Sequence, residues 1–549
     1  MITILPYWLI NIFFLLNLGL FLEKKIGIHN NSFFFSFING LFALMTFTSF
    51  FSLFVGAYNF ASHVVLSLFL LFVVWRNIKE FTSKMKVFIK IKLPDFKYLA
   101  LIIFFVLLAS SFYPLLQEND LYDIQTIKWA GEYGIVPGLI NLHPLLAYFS
   151  PWHIVQAGMN PGLVIFNDIN GMLLVIFGIY LLIKIKEIIQ AGVYKFEDKI
   201  HIIYFLFYPF LLFFVSTPTI ILPVVIFSQL SFLFFIKNYF VFHEEEMKQL
   251  SLLAIFTTSI APSAFLLLFL PYILFIKHRK IVYKSTFLIY SLSILPLLFF
   301  LWLKNYILTG YLFYPLSIGE DIVKPDWQYP KELLDKIGMY INSPTTQIFH
   351  SGSIVKDILA FLSQNSPLCY FINFVTLSIL ILFPFFLKKH SHTHALKILY
   401  VIFILHIISM FLFQFKGVNF YFSLALFLLF VLLSYGFVPI KFNKLLFWNF
   451  SISALIILFL LYKSGLNSDY IYNPMHHTKI DNYNTSLKNN FIINYPEGEE
   501  FFWETGDAFL PAAQPVMLKW IFKMGNKNKY QLHLRERHIK KGFRTEKEE

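Results

Sequence analysis

The stretch LSLLAIFTTSIAPSAFLLLFLPYILFIKHRKIVYK, residues 250–284, decides how the whole chain is threaded. Read as one span, 250–276 would carry Lys277, His278, Arg279, Lys280 and Lys284 to the side opposite every other basic connection. Read as two short helices broken at Ala261-Pro262, it returns to the side it left. Proline lacks an amide donor and its ring clashes with the turn before it, so a helix stops there readily. The positive-inside rule selects the second reading. The connection 76–97 holds Arg76, Lys79, Lys84, Lys86, Lys90, Lys92 and Lys97 against Glu80 and Asp95, which makes it cytoplasmic. With a re-entrant hairpin at 250–276, the basic stretches Lys24-Lys25, Lys184 to Lys199, Lys277 to Lys284, Lys388 to Lys397 and Lys441-Lys444 fall on that same side. Broken helices at membrane depth are tolerated only where protein or a watery cavity covers them, so the hairpin should line an interior site.

Around this hairpin lie twelve apolar runs, each near the length of about 20 residues that spans a bilayer. They fall at 2–22, 33–55, 57–75, 98–115, 163–183, 200–215, 218–236, 285–303, 368–387, 396–415, 420–438 and 445–462. Composition agrees: 58% of the chain is hydrophobic, only 14% is charged, and the mean hydropathy is +0.66. Only a bilayer hides that much apolar surface, so the expected fold class is an all-α polytopic membrane protein. The net charge of +13 sits mainly in the short connections, which argues for orientation in a membrane and against nucleic acid as a partner. The single cysteine, Cys369, excludes a disulfide framework within the chain. The first run lacks a basic leader and a small-residue cleavage site and is read as a retained helix.

This threading divides the chain into three helices with a basic loop (1–97), a membrane core (98–462) and a C-terminal region (463–549) of mixed structure. It places the N-terminus, the loops 116–162 and 304–366, and the C-terminal region outside. The loop beginning QENDLYDIQTIKWAGEYGIVPGLINLHPLLAYFSPW, residues 117–152, is the densest polar segment near the core. Glu118, Asp120 and Asp123 suit either of two roles. A carboxylate at the membrane surface can act as a general base on an acceptor hydroxyl, or these acids can simply cap a helix. Asp168, inside an apolar run, is a site candidate or an acid facing water. Lys304 and Lys416 are outward cations that could meet phosphate or snorkel at helix ends. The tracts His390, His392, His394 and His476-His477 read as solvated histidines, and Glu244 to Glu246 as a cytoplasmic acidic patch.

Several of these features together resemble a bacterial family of membrane glycosyltransferases that looks like the glycosyltransferase C superfamily. They are the acid followed by Leu121-Tyr122, Lys128-Trp129, Glu132-Tyr133-Gly134-Ile135-Val136-Pro137-Gly138-Leu139, Asn141-Leu142-His143, and Ser150 with Trp152. Further matches are Ser216-Thr217-Pro218 with Pro223, the Thr258 to Ser263 break, Asn305 through Thr309-Gly310-Tyr311 to Tyr314-Pro315, and Asp326-Trp327 with Pro330. Tyr495-Pro496 through Trp503 to Pro511 resembles the terminal motif. The likeness covers roughly 98–515 and implies a helical core of that type, with the first three helices as an addition to it.

It also implies a polyprenyl-phosphate sugar donor, a glycan, lipid or protein acceptor in the cell envelope, and action on the outer side of the cytoplasmic membrane. The base role transfers to Glu118, with Asp120 and Asp123 beside it. Lys128, Trp129, His143, Trp152, Lys304 and Lys416 become candidate substrate contacts, and a divalent cation is a candidate cofactor. The departures count as well. Asp123 stands where the family often has His, Leu145 and Asn419 where it has Arg, Ile221 where it has Asp, and Ala261 where it has Lys. A departing phosphate needs cations or a metal to stabilise its charge. These losses keep open a transporter or flippase of lipid-linked saccharide, or a catalytically inactive scaffold in envelope assembly.

Overall fold

The computed structural model describes residues 4–28, 32–57, 59–89, 96–112, 123–159, 168–281, 284–314, 316, 324–334, 367–388, 393–413, 418–436, 441–464, 491–495, 498–502, 530–537 and 539–547. Glu118, Asp120, Lys416, His390, His392 and His476-His477 lie outside the described residues, as do the backbone of Pro496 and the segment 503–511. The chain divides into two compact units. One holds Met1–Leu222, Val438–Lys519 and His533–Phe543; the other holds Pro223–Phe437, Trp520–Leu532 and Arg544–Glu549.

The first unit opens with α1 (Ile4–Ile26), α2 (Phe33–Ser52) and α3 (Phe60–Val87). Helices α1 and α2 cross so closely that a Cβ on Gly19 would lie 1.7 Å from the Ser36 carbonyl oxygen, and one on Gly40 would lie 2.0 Å from that of Leu15. Small residues permit such backbone contact inside a bilayer, where apolar surface alone gives helices no reason to prefer each other over lipid. Polar stitching adds to it. The buried Glu23 carboxylate accepts from Asn39 Nδ2 at 2.9 Å and Ser36 Oγ at 3.1 Å, and Asn77 Nδ2 donates to the Asn17 carbonyl at 3.2 Å. The basic connection expected at 76–97 is helical as far as Val87. Arg76, Lys79, Lys84 and Lys86 therefore ride on an extension of α3, where Glu80 meets Lys24 at 3.0 Å and Lys84 at 3.5 Å.

Helix α4 (Phe96–Ala109) leads to a layer of short helices: α5 (Ile124–Glu132), α6 (Leu139–Leu142), a 3-10 turn (Pro144–Tyr148) and α7 (Pro151–Met159). The segment expected as an external loop is thus folded and largely buried. The turn after α2 docks on it through Ala57 N–H to Ala130 O at 2.9 Å and Ile135 N–H to Ser52 O at 2.8 Å, and Tyr7 donates to the Met159 carbonyl. Helices α1–α3 are consequently built into this unit rather than appended to it. Helix α8 (Asp168–Ala191) follows, then α9 (Phe196–Phe207). The run expected to span at 200–215 is interrupted: α9 gives way to a 3-10 turn, Tyr208–Phe214, at Pro209, which has no amide hydrogen to continue the α ladder. Asn449, on the helix Phe442–Ser464, donates to the Phe205 carbonyl.

In the second unit, α10 (Ile221–Phe240) runs into α11 (Glu244–Ile260). Ala261 is extended, at φ −131° and ψ 99°, and a 3-10 turn (Pro262–Leu268) and α12 (Phe269–Lys277) follow. The end of this hairpin lies beside its beginning: His278 Nε2 is 3.0 Å from the Asn238 carbonyl, and Lys277 donates to the carbonyl of Tyr239. The chain therefore turns back on itself between Asn238 and His278. Helix α13 (Lys284–Thr309) extends past the expected boundary, so Lys304 lies within it and is buried. Helices Pro367–Leu387, Thr393–Phe413 and Val418–Tyr435 complete the unit, with Gln229 of α10 donating to the Ser423 carbonyl at 2.6 Å.

Six helices among the described residues are long and apolar enough to cross a membrane, and several shorter apolar ones accompany them. The protein is a multi-pass, all-α membrane protein in these parts. Short strands Phe491–Tyr495 and Gly498–Phe502 pair antiparallel, and Tyr530–Leu534 pairs with Phe543–Lys547.

Candidate functional site

The polar residues of 123–159 do not face outward; Asp123, Gln125, Thr126, Lys128, Asn141, His143, Ser150, His153 and Gln156 are all buried. Water cannot satisfy groups placed this way, so each needs a protein partner, and the partners define the site. Asp123 stands at the N-cap position of α5 yet makes no capping hydrogen bond. Its carboxylate turns instead to His153 on α7, with Oδ1 and Nε2 3.2 Å apart and both side chains almost wholly enclosed. The capping hydrogen bond that the sequence left open to this acid is not made. A carboxylate and an imidazole thus face each other inside the layer.

A second knot lies one turn away. Asn170 of α8 uses both amide hydrogens and its oxygen: Nδ2 donates to the carbonyls of Thr217 at 2.6 Å and Thr219 at 3.0 Å, and Oδ1 accepts from Trp152 Nε1 at 3.0 Å. Gln156 Nε2 donates to the Pro218 carbonyl at 2.9 Å. The Ser216-Thr217-Pro218 turn is therefore held against α7 and α8 by side-chain amides. Trp152, expected to touch substrate, is fully buried and serves as a brace. His143 likewise caps the 3-10 turn, its Nδ1 accepting from the Leu145 amide at 3.3 Å.

Lys128 is buried on α5, four residues before Glu132. Glu132 keeps surface exposed to solvent, yet the protein packed around it raises its carboxyl above the usual carboxylate range, and the charge of Lys128 offsets only part of that rise. Trp129 is fully buried between Tyr133, at a ring separation of 5.5 Å, and Phe543 of the C-terminal hairpin, at 5.9 Å with ring planes 88° apart. Asp123, Lys128, Trp129, His143 and Trp152 are all buried within the same compact unit, Asp123 at the start of α5, Lys128 and Trp129 on it, His143 before the 3-10 turn and Trp152 on α7. Lys304 belongs to the other compact unit, on the helix that ends at the motif Thr309-Gly310-Tyr311, where Tyr311 donates to the Tyr329 carbonyl at 2.7 Å and Trp327 to that of Tyr306 at 3.2 Å.

Reading along the sequence missed His153, Gln156 and Asn170. His153 directly follows the quoted motif, and Asn170 is an amide inside an apolar run. Each carried a signal, but neither carried its partner. For a divalent cation the fit is poor among the described residues: Asp123 and His153 offer two ligands, and no group of three His, Cys, Asp or Glu side chains converges.

Residues 1–416 match a family described as a domain of unknown function, DUF8201. The matched stretch takes in α1–α3, the whole layer 123–159 and the broken helix at 261. No curated protein and no solved structure matches the chain.

Proposed function

The chain belongs to that family, and we propose that it is a membrane glycosyltransferase of the C type, moving a sugar from a polyprenyl-phosphate donor to an envelope acceptor on the outer side of the cytoplasmic membrane. The observation that carries this reading is the enclosed Asp123–His153 pair, set in a buried polar layer after a membrane helix. Such a pair can take the proton from an acceptor hydroxyl as that oxygen attacks the anomeric carbon and the phosphate leaves. A positioned general base contributes about 10²–10⁴-fold in rate. Glu118 and Asp120, a few residues upstream, belong to the same acidic cluster.

Replacing Glu118, Asp120 and Asp123 together with their amides should abolish transfer of labelled lipid-linked sugar in membranes. Unchanged transfer sinks the assignment. A second reading, an inactive scaffold, draws on the same enclosure: a site with Asp123 and Trp129 shut away does no chemistry until something moves. It predicts full function in envelope assembly from the triple-amide variant.

A further inference from the structure

We infer that the tip of the C-terminal hairpin, ending at Gly542-Phe543, is a removable cap over a sugar-binding surface at Trp129. This rests on reading the layer 123–159 as the substrate site. The tip of the hairpin is seated on that layer at three points. Phe543 N–H donates to the Pro137 carbonyl at 3.1 Å, the Phe543 carbonyl accepts from Asn141 Nδ2 at 3.2 Å, and the Phe543 ring stands edge-on to Trp129. Gly542 makes the seating possible. Its φ is +87°, and a Cβ there would lie 1.8 Å from the Pro137 carbonyl oxygen.

Three features mark this contact as a cap rather than as core. The Trp129 indole N–H is buried and has no acceptor among the described residues, so the covered surface holds a donor that the cap leaves unused. A buried donor without a partner costs free energy and calls for an explanation. An indole presenting a flat face and one N–H is suited to a sugar ring, which offers C–H groups to the face and hydroxyl oxygens to the donor, and Phe543 occupies that neighbourhood with a ring of similar size but no acceptor. The hairpin also carries its own supports. Arg535 N–H donates to the Gly542 carbonyl at 2.9 Å, Gly542 N–H to that of Ile539 at 3.0 Å, Lys541 pairs with Glu536 at 3.2 Å, and Arg544 with Glu546 at 2.9 Å. These local contacts do not depend on Pro137, Asn141 or Trp129, so the tip can leave without losing them.

The test uses the full-length protein in lipid nanodiscs, with undecaprenyl-phosphate glucose as the probe. Gly542→Val should unseat the tip by collision with Pro137, and Phe543→Ala should loosen it more gently. Hydrogen exchange of the peptides covering 129–142 should rise in both while that of α8 stays unchanged, which establishes that the fold survives. Probe binding, followed by tryptophan fluorescence, should tighten by about tenfold, the size of an ordinary conformational coupling. Equal binding by wild type and both variants, or weaker binding with the tip unseated, overturns the cap and leaves the glycosyltransferase reading standing. If no protein binds the probe although 129–142 has opened, the substrate reading fails and the cap fails with it.

Discussion

Two interrupted stretches, the layer 123–159 and the hairpin 244–277, look alike in sequence, since both break up helices near the membrane with polar residues and proline. The hydroxyls of α11 and the amides of the layer are used differently. In the hairpin, Ser251, Thr257 and Ser259 each donate to the carbonyl four residues earlier, at 2.9, 2.7 and 2.7 Å, so they are satisfied within their own helix. Thr258 reaches the Ala264 carbonyl across the break at 3.3 Å, and at the hairpin's ends Tyr272 donates to Ser291 of α13 at 3.1 Å and Glu246 accepts from Asn238 of α10 at 3.4 Å. In the layer, Asp123, Trp152, Gln156 and Asn170 all reach other elements. A polar group that bonds within its own turn keeps a helix comfortable in an apolar setting; one that reaches across fixes the relation of two elements. By this criterion the hydroxyls of α11 mainly serve their own helix, and the layer is where polar groups from several elements are drawn together.

The contrast can be broken in graded ways. Asp123→Asn alone should lower sugar transfer by about 10²–10⁴-fold if this carboxylate is the base. Full activity in that variant, with loss in Glu118→Gln, would move the role upstream. Asn170→Leu strands the Thr217 and Thr219 carbonyls and the Trp152 indole N–H. At about 1–3 kcal/mol for each buried group left unpaired, the purified protein should melt at a clearly lower temperature. Gln156→Ala removes one such bond and should cost about 1 kcal/mol, seen as a smaller shift in the same melting curve. Thr257→Ala and Ser259→Ala should be nearly silent, within about 0.5 kcal/mol, because each residue takes both the donor and its local use away together. A strong loss of transfer in either hairpin variant, without loss of stability, would return the hairpin to the site.

Much of this architecture was legible along the chain. The apolar runs gave helices at the expected places, because a segment that must satisfy its backbone inside lipid has little choice but to be helical. Where runs were misjudged, the cause was local and polar. Helix α3 continues through charged residues to Val87 because those residues lie on a helix that outlasts its apolar part, and 200–215 breaks at Pro209. The layer 123–159 was recognised as polar but taken as a loop, since no window of its sequence shows that Gln125, Thr126 and Lys128 are buried. A buried polar helix and an exposed one can share a sequence; what differs is the cover.

What the sequence determined by itself is where the apolar helices lie and where one of them breaks, with sidedness as the expectation its basic loops carry. Apolar length sets where a helix can lie, basic residues mark one face of the membrane, and Ala261-Pro262 interrupts a helix through the missing amide hydrogen of proline. All three are local properties of short segments. Tertiary structure alone decided which polar groups meet. Asp123 finds His153, Asn170 gathers Trp152, Thr217 and Thr219, and Phe543 settles on Trp129. Hydrogen bonds and ring contacts act over a few ångströms, so partners far apart along the chain are specified only once the packing of the helices has brought them together.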